Sequence, residues 1–476
     1  LPPWKGDYHH DLNTQMTYLP YHAAGLTDSG LSFINMCWDR LPFYREYARD
    51  FIGVEGAAIA SVATLAGKPT GGWTQYSLTA PNGLWVGHSF YLHWRYTMDE
   101  TFLRTRTYPW MSEIATGIVN LLEERDGKLY LPLSSSPEIH NNSLKAWLPP
   151  NANYDLALMQ WAFEALEEMA TVLGREADAA HWQALRDKLE PLHTDADGVL
   201  KFARAQPCNQ SRRHHSHTMA IHPRGRYHFE QGDPQRQLIH ATLDRTPANG
   251  TQAWTRHSFS WFAAMLARCG PAAQPLDYLQ KYEAAFILRN GFHVNGDQLK
   301  AGLSRFHYRP FTLEGNFLAM DAVHEMLLQS WSPSPREDST PLVRIFPSTP
   351  WLWHEARFDN LRAEGGFVVS ARRRNNATEW FRIEATTDGV LRIKKDPTWS
   401  APAFSRDDVH ERDGFYEVTM KRGEQIEARL EVGAKTPPSP TNVTRPFKDS
   451  QAKRASEQSR YDFLQTIAQL AASTWV

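Results

Sequence analysis

Cysteine is scarce. Only Cys37, Cys208 and Cys269 occur in 476 residues, and none stands in a Cys-x-x-Cys pair. That excludes a disulfide framework and argues against a cysteine-built structural zinc site. A surplus of one charge is also missing: 51 Lys and Arg face 53 Asp and Glu, for a net charge of -2. The basic excess of a nucleic-acid-binding chain is therefore absent. No run approaches the ~20 apolar residues of a membrane span. The chain opens on Leu1 without a charged-then-apolar leader, which predicts a processed chain or a piece of a longer one. There is no P-loop, Gly-x-Gly-x-x-Gly or Gly-x-Ser-x-Gly element, and no repeat of fixed period. What is abundant is apolar and aromatic: 42% hydrophobic and 12% aromatic residues, including 17 Trp. These demand a packed interior, and tryptophan's flat face suits sugar stacking as well as core packing.

At ~150 residues per domain the length predicts about three domains. Over residues 1–331 the pattern is helical. Met159, Ala162, Phe163, Leu166, Met169, Ala170 and Leu173 recur at three-to-four spacing, with Asp155 near the start and Gly174 just past the end. Similar apolar faces occur at 41–66, 84–97, 108–123, 178–192, 254–268, 275–287 and 314–331. About ten helical segments without alternating strands predict a mainly α architecture of helix pairs. Ser332-Pro333-Ser334-Pro335 breaks the pattern, and 332–340 reads as a linker. After it the period becomes two, at 367–371, 380–385, 390–393 and 416–420, with turn residues between them. Residues 341–434 thus predict a small antiparallel β module. Residues 435–476 read as an extended tail with a terminal helix over 454–471.

Four stretches offer chemistry. Leu133-Ser134-Ser135-Ser136-Pro137-Glu138 presents a carboxyl after a rigidifying proline, as a general acid needs, although spacing alone favours a solvated loop glutamate. In Asp7 to Tyr18, Asp11 or Asn13 could position a water or simply cap a helix. The cationic run Arg212-Arg213-His214-His215-Ser216-His217 offers sugar-hydroxyl donors or a basic surface loop. Its histidines lack the helical spacing of a metal site. Glu314 opens a helix, where the dipole favours it structurally and where it could also act as a base. Together these are the parts of an inverting glycosidase, whose acid and base carboxyls stand about 6.5–9.5 Å apart around a sugar and a water.

The same stretches resemble glycoside hydrolase family 95, the inverting α-L-fucosidases and their α-L-galactosidase relatives. His10-Asp11-Leu12-Asn13-Thr14-Gln15-Met16 is similar to that family's Asn-x-Asn-x-Gln-Met segment, and Ser135-Ser136-Pro137-Glu138 to its general-acid loop. Arg213-His214-His215-Ser216-His217 resembles its Arg-His-x-Ser-His sugar-binding motif, and Leu313-Glu314-Gly315-Asn316-Phe317 its base-bearing Ile-Asp-Gly-Asn-Phe. The resemblance spans about residues 4–430 and implies an (α/α)6 barrel followed by the β module, without the large N-terminal β domain that members carry. It implies a catalytic set of Glu138, Glu314, Asp11 and Asn13. The implied substrate-binding set is Arg213, His214, Trp85, His307, Tyr308, His88 and Trp254. No metal or organic cofactor is implied. The expected partner is an oligosaccharide or glycan, with no nucleic acid or membrane, and the oligomeric state stays open. The family favours a secreted or periplasmic location.

Three positions depart from the family pattern. Asp11 replaces its first Asn, Glu314 replaces its Asp, and Tyr308 replaces a sugar-site His, with His307 adjacent. Two neighbouring carboxylates raise one another's pKa, so Asp11 could itself be the base, with Glu314 orienting it. The changed sugar-facing residue leaves α-L-fucose, α-L-galactose or another L-sugar open. The rivals are a phosphorylase on the same barrel type and a carbohydrate-binding homologue without turnover.

Overall fold

The computed structural model describes residues 3–70, 79–269, 273–333 and 335–432. The expected tail helix at 454–471 lies outside them. The helical part comprises Asn13–Thr17, Thr27–Asp39, Leu41–Tyr47, Asn82–Thr97, Tyr108–Val119, Asn153–Val172, Glu176–Asp187, Asp233–Ala248, Arg256–Cys269, Ala273–Phe286 and Glu314–Leu327. Its innermost helices are nearly uniform in burial. Asn153–Val172 buries 15 of its 20 residues and Arg256–Cys269 buries 13 of 14. A helix covered on most sides belongs to a core rather than a surface. Phe163, Trp182, Phe90, Trp110, Trp254 and Phe262 fill that core.

Several expected boundaries move, each for a local reason. The face at 41–66 ends as a helix at Tyr47 and unwinds through a π turn at Ala48–Ile52. Gly53 and Gly56, both at positive φ, then reverse the chain. Gly56 lies so close to the Gly117 backbone that a side chain would collide with it. Val62–Ala63 emerges as a strand paired with Tyr8–His9. The face at 108–123 stops at Val119 and gives way to a hairpin, Glu123–Arg125 with Lys128–Tyr130. Two helices escape the sequence pattern. Asp233–Ala248 is largely polar and contains Pro247, and Thr27–Asp39 carries Gly30 packed on the Tyr21 ring.

The C-terminal module has two five-stranded sheets. One runs His410–Arg412, Phe415–Met420, Gly389–Lys394, Leu342–Ile345, Leu328–Gln329. The other runs Ala403–Phe404, Gln425–Arg429, Ala377–Ala385, Phe367–Arg374, Ala356–Ala363. Leu391, Ile393, Val418, Val369, Phe381 and Ile383 are buried on alternating positions. All pairings are antiparallel except that of Gly389–Lys394 with Leu342–Ile345, so the module is not purely antiparallel as expected. Nor does the expected helix at 314–331 run its full length. It stops at Leu327, because Leu328–Gln329 joins the first sheet beside Arg344–Ile345. The stretch expected as a linker, 332–340, is tied to both parts. Ser332 donates to the Asp338 carbonyl, Asp338 pairs with Arg392, and Arg95 reaches the Ser339 carbonyl.

Candidate active site

The N-terminal segment is tied down before it reaches the site. Thr14 Oγ1 donates to the His9 carbonyl at 2.6 Å, and Gln15 donates to the His10 carbonyl and to Asn82 Oδ1. This delivers Asp11 and Asn13 to the wall of a cavity. Neither side chain caps the short helix that follows: its N-cap is Leu12, without a side-chain bond. Instead Asn13 Nδ2 donates to Glu314 Oε1 at 2.5 Å, across 301 residues.

The Glu138 loop is pinned by its serines. Ser134 Oγ and the Ser135 amide both donate to Asp155 Oδ2, at 2.6 and 3.1 Å. Ser135 Oγ meets Thr79 Oγ1 at 3.0 Å, and Ser136 Oγ meets Ser216 Oγ at 2.7 Å. Small hydroxyl side chains fit such a run because each satisfies a buried polar neighbour in little space. Asp155 is fully enclosed, and burial raises its carboxyl to about 7 against the pull of Ser134 and Ser135. The loop and the cationic run are thereby joined, so Glu138 receives Arg213 Nε directly and stands 3.5 Å from His214 Nε2.

Glu314, which lines the same cavity, begins the helix Glu314–Leu327 and is 1% exposed. Arg256 pairs with it, while also donating to Thr312 Oγ1 at 2.7 Å and to Asn295. The site thus carries two Arg–Glu pairs, Arg213–Glu138 and Arg256–Glu314, each arginine followed in sequence by a cavity-lining histidine. His214 and His257 meet edge to face, with ring centres 5.2 Å apart. The cavity encloses about 650 Å³, within the size range of small-molecule sites. Trp4, Tyr8, Tyr18, Phe306 and Tyr308 supply aromatic lining, an arrangement suited to the apolar faces of a sugar ring.

One oxygen of Asp11, one of Glu138 and one nitrogen of His214 lie within 4.8 Å of one another. Burial raises the Asp11 carboxyl above its ordinary range, the neighbouring Glu138 raises it further, and His214 and His9 oppose them. Burial also works against the charge on Glu138, but His214 and the permanently cationic Arg213 outweigh it and hold that carboxyl below its usual value. Of the two acids, Asp11 therefore holds its proton to the higher pH. These three side chains could form a cation site by their spacing, as could His222, Asp321 and Glu325. In each group a guanidinium already occupies one carboxylate, Arg213 on Glu138 and Arg268 on Glu325, which opposes a metal ion.

Seven of the eleven expected site residues meet here: Asp11, Asn13, Glu138, Arg213, His214, Tyr308 and Glu314. Four do not line this cavity. Trp85 is buried in the core against Tyr154 and Trp261. Trp254 is fully buried among His215, Phe259, Phe262 and Tyr278. Both follow the usual preference of a large apolar ring for the interior. His88 stands one helical turn beyond Trp85 and borders a different cavity, edge-on to Trp161. His307 is exposed, its Nδ1 paired with the Asp297 carbonyl, because the next residue, Tyr308, is the one that turns inward. His215 and His217 leave the cationic run for the core, against Trp254 and Phe202. Arg256, His257, Asn295 and Thr312 were not anticipated. The repeated Arg-His dipeptide at 256–257 was the available signal for two of them.

The chain is 26% identical over 397 residues to alpha-L-fucosidase 2 of Arabidopsis thaliana, covering 78% of this chain and 43% of that protein. It is 23% identical over 390 residues to probable alpha-fucosidase A of Aspergillus niger, covering 78% and 47%. The chain therefore spans less than half the length of these curated relatives. In fold it is similar to a solved structure described as a putative kojibiose phosphorylase from human microbiome. There the TM-score is 0.50 and the identity 12%, over 81% of this chain and 56% of that one. The sequence model of the glycosyl hydrolase family 95 catalytic domain matches residues 1–327, and the chain belongs to that family.

Proposed function

We propose that this chain is the catalytic part of an inverting exo-glycosidase, built on an (α/α)6 barrel, that releases a terminal α-L-fucoside-like sugar from a glycan. One observation carries the reading: carboxyls from near residues 11, 138 and 314 line a single cavity, two of them paired with their own arginine. In this reading Glu138 protonates the leaving oxygen as the glycosidic bond breaks. Because Arg213 favours the ionised form of Glu138 in the free cavity, the proton comes by way of Asp11, whose carboxyl burial raises above its ordinary range and which stands within 4.8 Å. A glycone hydroxyl that accepts from Arg213 weakens the Arg213–Glu138 pair and lets Glu138 take that proton.

On the base side of this reading, Arg256 pairs with Glu314. Asn13 gives its amide N–H to Glu314, which leaves the amide oxygen to accept from a water. That water attacks the anomeric carbon and yields its proton to Glu314. Asp11 lies too close to Glu138 to stand across a sugar ring from it, which favours Glu314 over Asp11 as the base. His214 and Tyr308 grip the glycone. A phosphorylase is disfavoured, because Glu314 would repel phosphate at the position of the water.

A second reading rests on the same short distance. Two carboxyls ~5 Å apart are the spacing of a retaining pair, with one acting as nucleophile. Hydrolysis of nitrophenyl α-L-fucoside, α-L-galactoside and β-L-arabinoside tests the proposal, with the fucoside or galactoside expected to turn over fastest. Sugar binding without hydrolysis of any of them, or of natural glycans, would instead support a carbohydrate-binding homologue.

A further inference from the structure

Beside Glu138, three stretches of chain, 209–214, 249–256 and 298–309, are joined edge to edge. Ser211 Oγ accepts from the Ala253 amide at 3.0 Å, and the Arg305 amide donates to the Gln252 carbonyl at 2.8 Å. Ser304 Oγ donates to the Trp254 carbonyl at 2.6 Å. These stretches contain Arg212, Arg213, Arg256, Lys300, Arg305 and Arg309, and no Asp or Glu. Arg213 and Arg256 serve Glu138 and Glu314. Lys300, Arg305 and Arg309 are exposed and form no ion pair among the described residues. Arg309 and Arg212 instead donate to the side-chain oxygens of Gln298 and Gln210, each at 2.8 Å. Several exposed arginines elsewhere have a carboxylate, as Arg45 has Glu113 and Arg104 has Glu100.

Phe306 fixes where this unmatched charge stands. Its ring centre lies 5.9 Å from the Arg213 guanidinium and 5.3 Å from that of Arg305. Arg305 is thus one aromatic ring away from the arginine that holds Glu138. Of the two Arg–Glu pairs, this one is the more open: the Arg213 side chain is 30% exposed, against 3% for Arg256. The remaining carboxylate of the cavity, Asp7, stands against His9 Nδ1 at 3.1 Å.

We propose that the preferred leaving group is acidic: the unit next to the released sugar carries a sulfate ester or a carboxylate, which Arg305 meets at the cavity mouth. The inference deepens the hydrolytic reading and rests on it. A leaving group bonded to the oxygen that Glu138 protonates emerges on the open side, past Phe306 and towards Arg305. The guanidinium offers paired N–H donors that match two oxygens of either anion. Because Arg305 is exposed, its pair with the anion is screened by salt, and it favours the encounter and choice of substrate more than tight binding.

The full chain is assayed with a nitrophenyl α-L-fucoside bearing a ring carboxylate and with its carboxamide counterpart, which has the same shape without the charge. At low ionic strength kcat/KM should favour the carboxylate by about three- to fivefold, the size expected of one exposed ion pair. The difference should lie in KM, whereas a difference in leaving-group acidity would appear in kcat. Raising sodium chloride to about 0.5 M should remove most of it. The ratio should approach one in Arg305→Gln, invert in Arg305→Glu, and keep its wild-type value in Arg357→Gln, a control on the β module. No preference in the wild type, or one that survives Arg305→Glu, would overturn the proposal. If neither compound is hydrolysed, the hydrolytic reading fails, and binding of dextran sulfate and polygalacturonate against uncharged dextran decides on the charged mouth. A charged polymer should then bind better than dextran and lose that advantage in Arg305→Glu. Equal binding of all three, or an advantage untouched by Arg305→Glu, would overturn it. The two charged polymers also separate a sulfate from a carboxylate preference.

Discussion

The proton inventory of the first cavity is set by two carboxyls with opposite environments. Glu138 is held ionised by His214 and Arg213 against the cost of burial, while Asp11 is pushed toward its neutral form by burial and by Glu138. The pair therefore shares one proton to a higher pH than Glu138 would manage alone. Asp11→Asn removes that proton store and leaves Glu138 with its depressed pKa. The alkaline limb of the kcat/KM profile should then move to lower pH. A pH–rate series on nitrophenyl α-L-fucoside checks this, and an unmoved alkaline limb would show that Asp11 carries no catalytic proton. Glu138→Gln should lower kcat by about 10²–10⁴-fold. The loss should be greater on a natural fucoside than on the nitrophenyl substrate, whose leaving group needs less protonation. Glu138, Asp11 and Asn13 stood out in the sequence because they lie in polar stretches, and Glu314 because it opens a helix. Arg256 was not, since it opens a helix whose every other clue points to the core.

At the scale of the element, the loop before Glu138 depends on one buried acid. Asp155 accepts from Ser134 and the Ser135 amide, so Asp155→Ala strands two buried donors, at a cost of about 1–3 kcal/mol. It should also lower kcat more than KM, because Glu138 loses its mooring. Asp155→Asn keeps an acceptor oxygen and should cost less. The pH dependence distinguishes the two effects. The Asp155 carboxyl is raised to about 7 by burial, so the folded state holds its proton more tightly than the unfolded chain. This stabilisation is complete below the unfolded value and lost as pH rises through about 7. The Asn variant should therefore gain on the wild type above neutral pH, as read by denaturant midpoints. The sequence pattern identified Asp155 as a helix-start residue, and Asn153–Val172 does begin there. Its second task could not be read, because it requires the strand-like bridge between Ser134 and Leu148, which only the folded chain forms.

For the whole molecule, the helical part and the β module are fastened by a half-buried charge cluster. Arg344 donates to Glu230 at 2.7 and 3.0 Å while stacked on Trp331, and Lys394 joins the same carboxylate. Burial opposes the charge on Glu230, but Arg344 and Lys394 hold its carboxyl at about 2. Its contribution to stability, on the order of 3 kcal/mol, is present above the unfolded value near pH 4.5 and lost as pH falls toward 2. Glu230→Gln should lower the denaturation midpoint at neutral pH and flatten its decline between about pH 4.5 and 2. A variant with the wild-type acid profile would contradict this role. The division into a helical part and a β part was readable from the change of period near residue 332. The fastening was not, because Glu230 and Arg344 are ordinary charged residues until folding places them together. The same limit explains the four displaced sugar-site candidates: Trp85, Trp254, His88 and His307 suit a sugar by type, but their direction depends on the packing around them.

The configuration of the first sugar released tests the central claim most directly. Following hydrolysis of an α-L-fucoside by proton NMR, before mutarotation, should show β-L-fucose appearing first, as expected if water attacks opposite Glu138 from the side of Asn13 and Glu314. Initial release of α-L-fucose would contradict that account and make the close Asp11–Glu138 pair the catalytic one.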